Sequence, residues 1–225
     1  MDSNFSSVRQ LRRHWKPTKE RLADSPDHEP LLIRIHRACS WLQQVEEAGE
    51  DALDQKLIFQ WVALNSLYGQ WDVDRREPQT DSITLPRFLD RILELDGEGR
   101  VSGLLTEHKR LVLSIFEDEY LTKYFWEEPS KDRARQAMST RHKAKTWFIE
   151  ERWAMILARL MERIYMLRCQ LVHGAATCGG KLNRTALKRC SAMMGHLLPT
   201  ILLVLMDQGT DEDWGPLCYP PYPCR

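Results

Sequence analysis

The chain has no excess charge of either sign. Lys plus Arg and Asp plus Glu number 32 each among its 225 residues, so no overall field draws it toward nucleic acid or a membrane. Any such contact has to come from a local patch. Paired cysteine chemistry is also missing. Cys39, Cys169, Cys178, Cys190, Cys218 and Cys224 form no CxxC and no Cys/His spacing suited to zinc. Free buried thiols are the plain reading, and neither a metal nor a cofactor is expected. Long apolar runs are absent too. The longest, residues 197–206, is interrupted by Pro199 and Thr200 and falls short of the roughly 20 residues that cross a bilayer. It reads as a core helix, and no membrane partner is expected. Residues 1–5 are polar, so a secretory leader is not expected and the cytoplasm is the expected location. No repeat is visible, and no segment alternates clearly enough to demand a strand.

What is present is helical spacing. Leu31, Ile35, Ala38, Leu42 and Val45 recur at steps of three and four, as do Leu53, Leu57, Trp61, Leu64 and Tyr68. Further helices are expected over 85–95, with Pro86 in the first turn, then 101–116, 117–126, 146–173 and 183–208, the last capped by Asn183. Pro199 predicts a bend near residues 195–199. Eight tryptophans supply large buried surfaces. The expectation is an all-α single domain of roughly seven or eight helices over residues 31–210, flanked by a basic N-terminal arm (1–30) and a Pro-rich tail (211–225). The aromatics of the tail suggest that it packs back on the bundle. The arm, with Arg9, Arg12, Arg13, Lys16, Lys19 and Arg21 against Glu20, reads either as a solvated end or as an RNA-contacting segment. Tyr120, Tyr124, Phe125 and Trp126 form an aromatic cluster that reads as core packing. The most basic stretch carries Lys131, Arg133, Arg135, Arg141, Lys143 and Lys145 against Asp132. Pro129 precedes it. It reads either as a solvated linker or as a surface in which Arg141, Lys143 and Lys145 contact substrate phosphates.

Chemistry concentrates in Arg168-Cys-Gln-Leu-Val-His173, followed by Gly174-Ala-Ala176. Five residues advance a helix by about 500°, so Arg168 and His173 point about 140° apart. They meet at one substrate only if the helix distorts at its end or if a second copy contributes its own pair across a two-fold axis. The seam of Trp153, Leu157, Leu160, Ile164, Leu167 and Leu171 suits packing against helices or a second chain. Imidazoles titrate near neutrality and suit a general acid or base. A guanidinium is permanently charged and forks onto phosphate oxygens. The two together are a minimal kit for phosphodiester chemistry without a metal. Asn65, beside the apolar face of its helix, reads as a structural tie or a member of the site.

Arg168-x4-His173, late in a long helix of an all-α chain, resembles the R-x4-6-H motif of the HEPN superfamily (higher eukaryote and prokaryote nucleotide-binding domains). The run 167–176, the pair Asn183-Arg184 opening the next helix, and the upstream Trp61-Val-Ala-Leu-Asn-Ser-Leu-Tyr68 look like the Apea-like group of that superfamily. The resemblance covers residues 31–210. It implies a metal-independent endoribonuclease working as a homodimer, with RNA as substrate and an antitoxin or another defence-system protein as a further partner. In this reading Arg168 holds the scissile phosphate and His173 is the acid/base. Cys169 and Gln170 are structural residues near the site. Such proteins serve as toxins or phage-defence effectors, and an inactive module that dimerises and binds RNA or nucleotide is the alternative. Cys169 stands where a polar residue is usual. Ala175 stands where members silenced by adenylylation carry Tyr, so that regulation is not expected.

Overall fold

A computed structural model of the chain describes residues 7–127, 130–175, 177–181 and 183–219, apart from the side chains of Tyr124, Lys131 and residues 133–138. The expectations for residues 1–6, Pro129, Ala176 and 220–225 (Cys224 among them), and for the side chains of Tyr124, Lys131, Arg133 and Arg135, lie outside the described residues. Ten α-helices are described: α1 (Val8–Leu22), α2 (Glu29–Glu47), α3 (Leu53–Tyr68), α4 (Asp81–Leu95), α5 (Arg100–Glu107), α6 (Lys109–Phe116), α7 (Lys123–Glu127), α8 (Lys131–Ile149), α9 (Trp153–Val172) and α10 (Arg184–Gln208). Among the described residues the only strands are β1 (Trp71–Asp72) and β2 (Glu77–Pro78). They pair antiparallel with Trp71 opposite Pro78. The all-α class expected from the spacing is therefore found. The chain divides into two compact units. One comprises Met1–Glu47, Phe59–Gly97 and Leu198–Arg225. The other comprises Ala48–Ile58 and Glu98–Leu197.

In the first unit, residues 8–22 are a packed helix, which corrects the reading of that stretch as a solvated end. Ser7 and Gln10 form a reciprocal capping box. Val8, Leu11, Trp15 and Leu22 are buried on one face of the helix, which packs against α2. Helix α4 starts at Asp81, four residues earlier than expected, so Pro86 lies inside it. Pro86 cannot donate to the Ser82 carbonyl, but both residues are exposed, so water can take that oxygen's bond. The charged loop before α4 closes the β1–β2 hairpin. There the Asp72 carboxylate accepts from the amides of Asp74 (3.0 Å) and Arg75 (2.9 Å).

The polar centre of this unit is Arg34, which is 1% exposed. Its Nη1 donates to the carbonyls of Leu67 (3.1 Å) and Gly69 (2.7 Å), and its Nη2 to those of Trp214, Gly215 and Pro216 (3.0–3.3 Å). One turn on, Arg37 donates to the carbonyls of Cys218 and Tyr219. These bonds hold the C-terminal segment on α2. The Trp214 ring lies edge-on to Phe88 with centroids 5.6 Å apart. The tail does pack back, as its aromatics suggested, over residues 214–219.

In the second unit, the stretch read as a solvated linker is the N-terminal part of α8. Its Ala144 and Phe148 are buried, and Lys109 lies over the Phe148 ring at 4.9 Å. The expected continuous helix over 146–173 is interrupted. Glu151 takes a left-handed φ of 52°, and the Arg152 amide reaches back to the Trp147 carbonyl (2.9 Å). That six-to-one bond ends α8. Residues 101–116 likewise split at His108 into α5 and α6. Helices α6 and α8 pack with α9. Helix α10 runs unbroken through Pro199. It is long and apolar enough to cross a membrane, yet two-thirds of its most apolar window is buried within the protein. Its residues 201–206, which belong to the first unit, are buried in succession, as expected for a core helix.

Candidate functional site

Helix α9 buries Ile156, Leu157, Leu160, Met161, Arg163, Ile164, Leu167 and Gln170. The steps of three and four make one broad inner face. The helix ends where the sequence suggested. Gly174 has φ 70°, and the amides of His173 and Ala175 return to the carbonyls of Cys169 (2.9 Å) and Gln170 (2.8 Å). A glycine adopts this conformation without strain from a Cβ, and the returning amides satisfy carbonyls left open at the helix end.

Arg168 is half-buried, and its guanidinium centre lies 5.8 Å from the centroid of Tyr165, three residues before it on the same helix. His173 is exposed at the cap. Among the described residues its imidazole has no hydrogen-bond or ion-pair partner. Because α9 stays helical through Val172, the divergence of about 140° holds within one chain. The structure does not bring the two side chains to one point. Val172, between them, is 53% exposed. The inner face thus runs out of cover just where the motif ends.

Gln170 is the anchor of this end. It is buried, donates from Nε2 to the Tyr120 carbonyl (2.6 Å) and accepts from Asn183 Nδ2 (2.6 Å) on Oε1. Asn183 was expected to cap α10, but its side-chain amide is engaged with Gln170 while its carbonyl accepts from Leu187 (2.8 Å). Arg184 donates to the Asp54 carboxylate (2.7 Å) and the Asp51 carbonyl (2.9 Å), and the Gly179 amide also reaches Asp54 (3.1 Å). The loop after the motif is therefore tied at both ends by charged or amide groups. Cys169 is half-buried with a free thiol.

The chain matches no family model, no curated protein and no solved structure.

The remaining candidates scatter. Lys143 and Lys145 are exposed on α8, whereas Arg141 is ion-paired with Glu117. Asn65 is half-buried in α3 and belongs to the first unit. Arg168 is only half-buried on α9. The fully buried arginine is Arg163, 3% exposed, whose Nη2 reaches Thr140 Oγ1 at 3.4 Å. Burial draws its pKa down to about 10, partly opposed by Glu162, so it remains cationic at neutral pH. Asp118, whose pKa burial raises, interacts with Arg189 and Arg163. The signal for Arg163 was its place beside Ile164 in the stripe. Nothing local distinguished it from a residue reaching to solvent. Tyr120 and Asp54 support the site without a local sequence signal. Tyr120 acts through its backbone carbonyl, and Asp54 pairs with a residue 130 positions away.

Proposed function

We propose that the chain is a metal-independent endoribonuclease of the HEPN type that works as a two-fold dimer in toxin or phage-defence activity. The observation that carries this reading is the end of α9. An arginine and an unpartnered, outward-facing histidine sit on a capped helix terminus whose apolar stripe is left uncovered at Val172. A general base needs a group to orient it and a second acid to complete the reaction. No such group reaches the His173 ring among the described residues, and a second copy can supply both.

In the dimer, one His173 imidazole takes the proton from a ribose 2′-OH. The 2′-oxygen attacks phosphorus, and the P–O5′ bond breaks. The leaving 5′-oxygen receives a proton from the imidazolium of the partner's His173. The paired Arg168 guanidiniums fork onto the non-bridging oxygens and offset charge as it grows. The products are a 2′,3′-cyclic phosphate and a 5′-hydroxyl.

The second reading is a non-cleaving dimeric module that binds RNA or nucleotide. Cys169 favours it, because a half-buried thiol is a weak hydrogen-bond partner beside a phosphate-holding arginine. Incubating purified protein with total RNA, with and without chelator, separates the two. The nuclease reading expects cuts that persist in EDTA and vanish in Arg168→Ala and His173→Ala proteins of unchanged circular dichroism. Retarded but uncut RNA would favour the binding module. Cleavage by both variants at the wild-type rate would remove the site assignment.

A further inference from the structure

Helix α1 has two sharply different faces. Val8, Leu11, Trp15 and Leu22 are buried, while Arg9, Arg12, Arg13, Lys16 and Lys19 are exposed. At 100° per residue those five cations fall within an arc of about 120°, and from Arg9 to Lys19 they cover about 15 Å along the axis. Glu20 is the only acid in that arc, and Lys16 reaches it at 3.7 Å. Arg12 is engaged with Gln43 and the Cys39 carbonyl. Arg9, Arg13 and Lys19 make no ion pair among the described residues. In a chain of zero net charge, this is a strong local excess.

The arrangement works against the helix that carries it. Arg9 with Arg13, Arg12 with Lys16, and Lys16 with Lys19 are like charges three or four residues apart, where repulsion destabilises a helix. The first turn has no acid of its own, and the positive end of the helix dipole is met instead by the Glu46 carboxylate of α2, which accepts from the Val8 amide (2.6 Å). The capping box and the apolar packing on α2 hold the cations in place. A bound polyanion would relieve the repulsion.

We propose that the outer face of α1 binds the phosphate backbone of single-stranded RNA independently of sequence. Arginines supply forked donors for phosphate oxygens. No aromatic side chain lies in the arc to stack on bases, so backbone contact is the mode this face offers. A membrane surface fits less well, because the apolar face of α1 is turned inward and the outer arc offers nothing to insert. This surface belongs to the first unit, and Arg168 and His173 belong to the second. The proposal therefore stands whether or not the chain cleaves RNA.

The test uses the full chain with His173→Ala, so that RNA is not cut, and a fluorescein-labelled single-stranded RNA of mixed sequence. Anisotropy is measured across a salt series against the same protein also carrying Arg9→Glu, Arg13→Glu and Lys19→Glu. The expected result is at least about a tenfold loss of affinity, with the slope of log K against log salt shallower by about 2, as for three phosphates released at about 0.7 each. Circular dichroism checks the fold. If charge reversal unfolds α1, the Arg9→Gln, Arg13→Gln pair should still give a smaller loss and a shallower slope. Equal affinity and slope in all folded variants would overturn the proposal, as would no binding of RNA by the parent. Binding to phosphatidylserine vesicles in place of RNA would overturn it in favour of a membrane surface. Loss of cleavage in His173→Ala with RNA binding retained leaves it intact, so its failure and that of the catalytic reading are separable.

Discussion

A guanidinium can be buried without a carboxylate if backbone oxygens take its protons, and Arg34 does this with five carbonyls from two stretches of chain. Burial lowers its pKa to about 10, which leaves it charged at neutral pH. Lysine offers three donors on one atom and cannot reproduce that fan. Arg34→Lys should therefore lose at least about 2 kcal/mol, and Arg34→Met about 3 kcal/mol or more, since carbonyls are left unpaired. Urea unfolding measures both, and a loss under about 1 kcal/mol in each would show that water replaces the guanidinium. A second case concerns protons. The rings of His108 and His196 stack with centroids 4.0 Å apart and planes 19° apart. Burial lowers the pKa of His196, the charge of His108 lowers it further, and Glu107 opposes both. The unfolded chain protonates this group near its ordinary value of about 6.5, so it binds more protons than the folded chain just below that pH. The stability His196 contributes is present above about 6.5 and falls as pH drops from there through its lower folded value. NMR titration should place His196 below its ordinary value and move it upward in His108→Ala. A His196 that titrates above its ordinary value would contradict the stacking account.

Two glycines show how the element decides what a methyl group does. Gly174 terminates α9 at φ 70°, with open space around the position of an added Cβ. Gly103 lies inside α5, also with open space. Gly174→Ala is expected to cost about 1 kcal/mol, because alanine resists the left-handed region. Gly103→Ala is expected to add about 0.5–1 kcal/mol by restricting the unfolded chain. The same substitution should shift thermal midpoints in opposite directions, and shifts of one sign would refute the assigned backbone conformations. Element boundaries were the harder part to read. The stop at Gly174 was legible, because glycine after a periodic run is a local signal. The break at Glu151 was not, because a glutamate carries no preference for the positive φ it adopts. Helix α1 was not legible because it buries only four apolar residues among many cations, and its stability comes from packing on α2.

For the whole molecule, the catalytic proposal requires two copies. Sedimentation equilibrium should give twice the chain mass of 26.4 kDa. Val172→Glu should shift the protein toward single chains and reduce cleavage in parallel, since a charge at an apolar contact is costly. A wild-type protein that cleaves RNA as a strict monomer would remove the composite site and leave the chemistry to be explained within one chain.

The sequence alone determined the helical class, most of the apolar stripes, and the place where α9 ends, because each is set by interactions within about four residues. It also singled out Arg168 and His173, the residue types from which the phosphodiester chemistry is proposed. Only the tertiary structure decided which arginine of α9 is buried, Arg163 rather than Arg168. It also revealed that Gln170 spans 50 residues to Tyr120, that Asp54 spans 130 to Arg184, and that the basic start of the chain is a docked helix. These outcomes depend on partners far away in sequence. A long polar side chain reads the same whether it reaches solvent or a distant carbonyl, and only packing determines which of the two occurs.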